Sequence, residues 1–440
     1  MDSSTRISQR YKLLHPCRNQ VEMQMLCLDD LLPLDHKARA VWEYVEKMDT
    51  SSCLQQISSY QNEAGRSTTS PKVLLALWIY SILDGNISAR KIEDLCLYHD
   101  AYKWIAGGTP INRTMLSDFR SKHHEKFNDL LVSSLAVMVQ SNVLSEQDFA
   151  QDGTRVKANA GFSSFRREGT LEALKQQIAV HIKQLEEELN NNPHAYDART
   201  KAAKTRAARE RSERIEQALA SLNESQQRKI EAGKRTRQTP TEEELQRTRA
   251  STTDSMARKM KMGDGGFRLA YNVQFATGIK SRVIFGVDVV NTLDPGTSPN
   301  MMQQVHIILQ KLQMAVAKSW CADSAYSGKG DVDAVNSLFP ECNYYTPAKP
   351  RKGIDPKKNQ KNDSEAVKKW RASLDTDEMK EAYQNRCSTA EFSNAQTKNH
   401  GFTEFLVRGI EKARSMATLH AIANNLSRYW DLLKKATTII

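Results

Sequence analysis

The sequence predicts a mixed α/β fold preceded by an all-helical segment. Apolar residues recur at helical spacing through the first third of the chain, and then the period changes. Phe267 to Phe275 alternates as a half-buried strand does, and Arg282 to Val290 is a near-continuous β-branched run, as a buried strand is. From Phe149 onward the order is strand, long insertion, hairpin, helix, strand, helix, strand and helix, which builds a layered α/β domain.

At 440 residues the chain is too long for one ordinary domain. Lys and Arg number 63 against 52 Asp and Glu, a formal net charge of +11. Basic charge gathered in clusters favours a polyanionic partner, most often nucleic acid, although a solvated basic surface has the same composition. The seven cysteines form no Cys-x-x-Cys pair and have no His at zinc-finger spacing. That argues against a disulfide scaffold or a zinc finger and for reduced cytosolic thiols. The N-terminal basic residues have no apolar run behind them, so no secretory signal is expected. The longest apolar run, Val73 to Leu83, is too short to span a membrane. A soluble, intracellular protein is expected.

Residues 1–20 read as a loose basic arm. Asp35 can cap a helix carrying Ala40, Val41, Tyr44, Val45 and Met48. Ser70-Pro71 starts a helix that is apolar nearly all round and therefore buried. Ser88 caps the next helix, which carries Arg90 and Lys91. Gly107-Gly108-Thr109-Pro110 is a turn, and Asn112 or Thr114 starts a further helix through Phe119, Phe127, Leu131 and Leu135. Short helices, tight turns and exposed Arg90, Arg113, Arg120 and Lys122 suit a helix-turn-helix-like DNA reader. They suit a helical packing or dimerisation domain equally well.

Phe149 to Asp152 is the first strand, delivering Asp152 into a basic turn. Leu171, Leu174, Ile178, Ile182, Leu185 and Leu189 then step by three and four along one amphipathic helix. A second helix carries Arg199 to Arg214 with Ile215, Leu219 and Leu222 on one face. Thr241 to Glu244 is a capping box. The insertion reads as a helical hairpin with a basic flank, solvated or in contact with DNA. Gly278 turns the hairpin between the two later strands. Helices follow over Ser298 to Val316 and Val332 to Leu338, with short strands at Trp320 to Asp323 and Cys342 to Thr346. Residues 349–361 are a basic, mobile loop, and helices over Asp377 to Thr397 and Thr403 to Lys435 close the chain. This order is compatible with a ribonuclease H-like core interrupted after its first strand.

Asp152 and Asp323 end two strands, and Glu391 lies on a helix among Tyr383, Arg386 and Lys398. Phosphodiester cleavage and strand transfer need an activated oxygen nucleophile and stabilised charge on the phosphoryl group, which two Mg²⁺ about 3.5–4 Å apart supply. Hard cations take carboxylates, so three carboxylates without a Cys/His cluster point to Mg²⁺ or Mn²⁺ rather than zinc. Each residue also has a structural reading. Asp152-Gly153 can be a turn, Asp323 a helix cap and Glu391 a solvated helix residue. Asp288 and Asp294 compete for an Asp role, and Glu365, Glu378, Glu381 and Glu404 for the Glu role.

Several motifs in order choose between these readings. They are Leu34-Asp35-His36, Gly65-Arg66 before Ser70-Pro71, Gly85-Asn86-Ile87-Ser88-Ala89-Arg90, and Phe119-Arg120 with His124. Asp152-Gly153-Thr154 with Ala158-Asn159-Ala160 follows, then Gly265-Gly266-Phe267 leading to Tyr271-Asn272-Val273-Gln274, and Ala322-Asp323-Ser324-Ala325-Tyr326. Last come Tyr383-x-x-Arg386-x(4)-Glu391-x(6)-Lys398, Gly401-Phe402 and Arg408-Gly409. With these the chain resembles the DDE transposases of bacterial insertion sequences, in the branch with a helical N-terminal domain and a long insertion after the first Asp.

The resemblance implies that Asp152, Asp323 and Glu391 are the catalytic, metal-binding triad, served by Mg²⁺ or Mn²⁺ as two ions. It implies that Tyr383, Arg386 and Lys398 hold the transposon-end backbone, and that the N-terminal domain, with Arg66, Arg90, Arg113 and Arg120, binds terminal inverted repeats. The expected domains are 1–140, helical and DNA-binding; 141–161, the first core strand; 162–262, the basic insertion; and 263–440, the remaining core. The expected partner is double-stranded DNA, transposon ends and target, bound by a homodimer or higher oligomer in the cytoplasm at the nucleoid, without a membrane. The family usually follows its Glu with a Pro-aromatic-Gly stretch. Here Phe392-Ser393-Asn394-Ala395 follows Glu391, and Ala390 replaces a larger β-branched residue. A catalytically inactive DNA-binding derivative and a stand-alone metal-dependent nuclease are the alternatives.

Overall fold

Capping chemistry sets most of the N-terminal helices. The computed structural model describes residues 19, 21, 25, 27–54, 68–122, 124–191, 198–236, 238–350 and 355–438. The expected arm over 1–20 therefore lies almost wholly outside the described residues. Helix α1 (Lys37–Lys47) is capped by His36 rather than Asp35: the imidazole accepts from the Ala38 amide at 3.1 Å. Ser70 caps α2 (Pro71–Leu83), whose residues from Val73 onward are all buried, as its all-round apolar sequence demands. Ser88 caps α3 (Ala89–Tyr98). Helix α4 (Asp100–Ala106) ends at Gly107 with φ 58°.

The Asn112 side chain accepts from the Met115 amide at 2.9 Å and opens α5 (Arg113–Lys122). The single helix expected here is two. A 3₁₀ turn at His124–Lys126 precedes α6 (Phe127–Gln140). Phe119 and Phe127, eight residues apart, would point about 80° apart on one straight helix. The break lets both turn inward and meet edge-on at 5.7 Å.

Strand β1 (Asp148–Lys157) runs through the residues expected to turn after Asp152. The insertion opens with β2 (Phe165–Arg167) and continues as α7 (Glu168–Asn191), α8 (Ala198–Thr236) and α9 (Glu242–Gln246). Thr241 and Glu244 close the expected capping box on α9. Helices α7 and α8 pack as a hairpin around Leu171, Ala218 and Leu222, then Ile178, Leu185 and Ile215. Strand β3 (Arg249–Ser251) pairs antiparallel with β2, a ribbon the sequence did not reveal.

The chain then forms β4 (Arg258–Lys261), β5 (Phe267–Gly278), β6 (Ile284–Val290), α10 (Ser298–Lys311), β7 (Ser319–Cys321), α11 (Lys329–Leu338), β8 (Asn343–Tyr345), α12 (Glu365–Ser373), α13 (Asp377–Asn399) and α14 (Ile410–Thr438). The mixed sheet has the order β4-β5-β1-β7-β8, with β6 also on β5. Strand β1 is antiparallel to β5 and parallel to β7, and β7 is parallel to β8. Strands β4 and β6 follow one another along the β5 edge opposite β1. Gly278 lies where a side chain would meet the Glu146 carboxylate, which accepts from the Ser281 amide and hydroxyl and pins the β5–β6 turn.

The last helix starts later than the sequence suggests. Thr403 to Phe405 are tied to the end of β1 instead: the Lys157 amide donates to the Thr403 carbonyl and the Phe405 amide to the Lys157 carbonyl. Helix α14 then joins the two halves of the chain. Asn425 brackets Ile284 of β6 with two bonds of 2.8 Å, and Tyr429 meets Ser141 and the Tyr44 ring. One continuous core therefore runs from Tyr44, Trp78 and Phe127 to Phe149, Phe285 and Trp320.

Candidate active site

Strand register brings two aspartates together. The β1–β7 ladder ends at Ala150 opposite Cys321. Asp152 stands two residues farther along β1, whereas Asp323, expected to end the second strand, lies two residues past Cys321, beyond the end of β7. Asp152 shares the face of Ala150, and the Asp323 carboxylate comes near enough to push that of Asp152 up. Asp323 also caps the turn Ser324–Tyr326, accepting from the Ala325 amide at 2.6 Å.

Asp152-Gly153 is not a turn. Gly153 is a strand residue, and a Cβ there would meet the side chains of Gln274, Asp294 and Asn272 within 2.8 Å. Only glycine lets β1 lie over that polar bed.

Helix α13 packs on β1 and β5 and sends two side chains to Asp152. The Arg386 guanidinium donates to one oxygen at 3.2 Å, and the Asn394 amide donates to the other at 2.8 Å. Buried Ala390 lies between them, one turn from each. Arg386 also lies over the Tyr383 ring at 5.7 Å. Glu391 and Lys398 are on the exposed strip beside this face. Among the described residues, no group of three His, Cys, Asp or Glu side chains is assembled that could hold a metal ion. The structure thus joins Asp152, Asp323 and Arg386, and leaves Glu391 on the solvent side of the same helix.

Asp294 belongs to the site, although its Asp-Pro-Gly context reads as a turn. It does make that turn, its carbonyl accepting from the Thr297 hydroxyl at 2.7 Å. Its carboxylate also accepts from Asn272 at 2.9 Å and Gln274 at 3.0 Å, and faces Arg155 at 3.5 Å. Beneath lies a buried polar bed. Gln151 donates to Gln274 and Thr297 and accepts from Ser298 and Trp320, while the Tyr326 hydroxyl donates to Gln274 at 2.6 Å. The sequence signal was Asn272-x-Gln274, two amides on one face of an otherwise apolar strand, which need a buried polar partner.

Burial pushes the Asp152 carboxyl up to about 6. The Arg386 charge opposes that rise, and the Asp323 and Asp294 carboxylates add to it. Three acidic side chains thus share one field against Arg386 and Arg155. Three of the competing acids are occupied elsewhere: Asp288 pairs with Arg414, Glu404 with Lys157 and Glu365 with Lys368.

The expected DNA contacts divide. Arg90 and Arg113 are exposed, and Arg113 stands 3.9 Å from Glu93. Arg120 is not exposed as expected. It is buried over the Trp78 ring at 4.9 Å and donates to the Ile87 carbonyl, and burial pushes its guanidinium down to about 10. Ring and carbonyl replace the water such a charge would otherwise keep. Arg66 lies outside the described residues, as do 351–354 of the basic loop.

Residues 339–430 match the family model described as a transposase DDE domain, and residues 26–122 match one described as a transposase domain (DUF772). No curated protein and no solved structure matches the chain. The first segment holds Arg386, Asn394 and Glu391, and the second holds the N-terminal helices through α5. Both place the chain among transposases, a class of enzymes that act on DNA. Together they support a DDE transposase of an insertion sequence. Transposases of this kind generally use divalent metal ions. Among the described residues, no helix is long and apolar enough to cross a membrane.

Proposed function

We propose that the protein binds the terminal inverted repeats of its element, cleaves DNA strands at the ends and joins the freed ends to target DNA. The observation that carries this reading is the Asp152–Asp323 pair, brought together where the parallel β1–β7 ladder ends and facing Arg386 of α13. The strand order β6-β5-β1-β7-β8 fits a ribonuclease H-like core, which residues 141–161 and 263–440 would form. Residues 162–262 are the insertion and 1–140 the end-binding unit. The protein acts in the cytoplasm at the nucleoid, as a dimer or higher oligomer on DNA.

The donors suit a hard cation in kind: carboxylates that repel one another are relieved by positive charge between them. Asp152 and Asp323 would hold Mg²⁺ or Mn²⁺, with Glu391 as the third carboxylate and two ions as the complement. Held by these carboxylates, a divalent cation would activate an oxygen nucleophile and neutralise phosphoryl charge. Arg386 fixes the Asp152 carboxylate. Lys398 and Tyr383 meet the DNA backbone beside it, and exposed Arg90 and Arg113 meet it on the N-terminal helices.

A second reading has a specific observation behind it. Asn394 occupies one oxygen of Asp152 while Glu391 faces solvent, as suits a DNA-binding derivative without catalysis. One experiment separates the two. Cleavage of the element's terminal DNA is measured with Mg²⁺, Mn²⁺ or EDTA, for wild type beside Glu391→Gln. Metal-dependent nicking at the element end, lost in the variant, supports the transposase. End binding without cleavage under any metal supports the inactive derivative. Cleavage with no preference for element ends would point to a stand-alone nuclease.

A further inference from the structure

We propose that a basic groove at the foot of the helical insertion seats the phosphate backbone of duplex DNA. This rests on the transposase reading and names a contact site away from the catalytic carboxylates. The groove, about 630 Å³, lies between the β2–β3 ribbon, α8 and β4. Phe162 and Phe165 supply apolar surface, and Arg167, Lys229, Arg249 and Lys259 supply charge.

Ribbon register makes the strongest argument. Arg167 and Arg249 are directly opposite each other in the antiparallel pair, and both are exposed. Like charges at opposed positions destabilise a two-stranded ribbon, and an anion between them removes that cost. Lys229 adds a third cation, held toward the groove by a 2.8 Å bond to the Thr248 hydroxyl, a neutral partner. Lys259 lies over the Phe267 ring at 4.8 Å. Two other lining arginines are committed: Arg247 to Glu243 at 3.3 Å, and Arg258 to the Ser255 carbonyl at 2.8 Å with Glu224 at 3.9 Å. Among the described residues, no carboxylate lines the groove.

The number of cations, Arg167, Lys229, Arg249 and Lys259 on one open groove, suits a run of backbone phosphates better than a single small anion. Arg258 is opposite Ala270, which is opposite Lys157, five residues along β1 from Asp152. Five residues of strand span about 17 Å, and five base-pair steps of DNA cover about the same length at 3.4 Å each. That separation puts the groove about five base-pair steps beyond a scissile phosphate at Asp152, with Arg258 on the opposite face of the sheet, so the groove meets duplex backbone apart from the catalytic carboxylates. Phe162, 49 % exposed, offers its ring to the sugars.

The test uses the full chain and a random-sequence duplex of about 30 base pairs, followed by fluorescence anisotropy across a KCl series. The combined variant Arg167→Gln, Lys229→Gln and Arg249→Gln is expected to bind at least about tenfold more weakly, with a log Kd against log salt slope shallower by about 2–3. Should that variant fail to fold, Arg249→Gln alone is expected to lower the slope by about 1. An unchanged slope and affinity, with wild type binding well, overturns the groove and leaves the transposase reading standing. Absence of any duplex binding by wild type overturns both. An effect seen only with a single-stranded probe overturns the duplex assignment. Thermal stabilisation by inorganic phosphate that the variant loses, with duplex binding unaltered, assigns the groove to free phosphate and also overturns it.

Discussion

The Arg386 guanidinium stands 3.2 Å from the Asp152 carboxylate, across 234 residues of chain. The contact fixes α13 over the end of the β1–β7 ladder and sets the charge state of the site. With burial and two neighbouring carboxylates against it, Asp152 relies on Arg386 to ionise near neutral pH.

Arg386→Gln is therefore expected to raise the Asp152 carboxyl further above about 6. Below pH 6 cleavage falls about tenfold for each unit the carboxyl rises, since there the ionised fraction drops about tenfold per unit, and the loss is smaller at neutral pH. The acid limb of the pH–rate profile moves to higher pH. A purely structural role would lower activity at every pH without moving that limb.

Asp152→Asn, Asp323→Asn and Glu391→Gln are each expected to lower cleavage on the order of 10³-fold or more, as for residues that act as a unit. End binding should survive in all three, and a gel-shift assay run beside the cleavage assay checks it. Wild-type cleavage by Glu391→Gln would remove that exposed residue from the site.

His420 gives stability a pH dependence. It is buried, stacks on Phe402 at 4.3 Å, and neither ring nitrogen has a hydrogen-bond partner. Burial pushes its imidazole down to about 3, against 6.5 for an ordinary histidine. Between those values the unfolded chain binds the proton and the folded chain does not. Its contribution is therefore complete above 6.5 and is lost as pH falls toward 3. His420→Leu should shrink the difference in Tm between pH 7.5 and pH 5 by several degrees, read by circular dichroism.

Asp363 acts through an ion cluster. Its carboxylate meets Lys329 at 2.6 Å and Arg371 at 2.8 Å, and Arg371 also donates to the Pro356 carbonyl. The Lys329 hydrogen bond, with Arg371 behind it, draws the carboxyl down to about 2. The stability it confers is present above 3.8, the ordinary value, and is lost as pH falls toward 2. Asp363→Asn should lower Tm by several degrees at pH 7 and by much less at pH 2, since wild type is then half protonated.

Local chemistry was legible wherever one residue decides a local outcome. Ser70-Pro71, Ser88 and the Thr241–Glu244 box start helices where expected, because a cap needs only its own turn. The cap at His36 was missed because an imidazole took the role usually given to Asp, Asn, Ser or Thr. The hairpin of the insertion was readable from the three-and-four stepping of its leucines and isoleucines. Its β2–β3 ribbon, with three residues in each strand, was too short to carry a period.

Sequence alone determined the order of the longer elements, the buried α2, the amphipathic insertion and the acidic residues worth weighing, since periodicity and capping are local. Tertiary structure decided which of those acids meet. The β1–β7 ladder brought Asp152 near the turn that Asp323 opens. Packing of α13 turned Arg386 and Asn394 toward them and Glu391 away. The polar bed of Asn272 and Gln274 drew Asp294 in from a turn. Arg120, basic and apparently free in the sequence, was taken into the core by Trp78. Each outcome depends on partners 20 or more residues distant in the chain, and a charged side chain's place is fixed by what replaces its water, which no local pattern encodes.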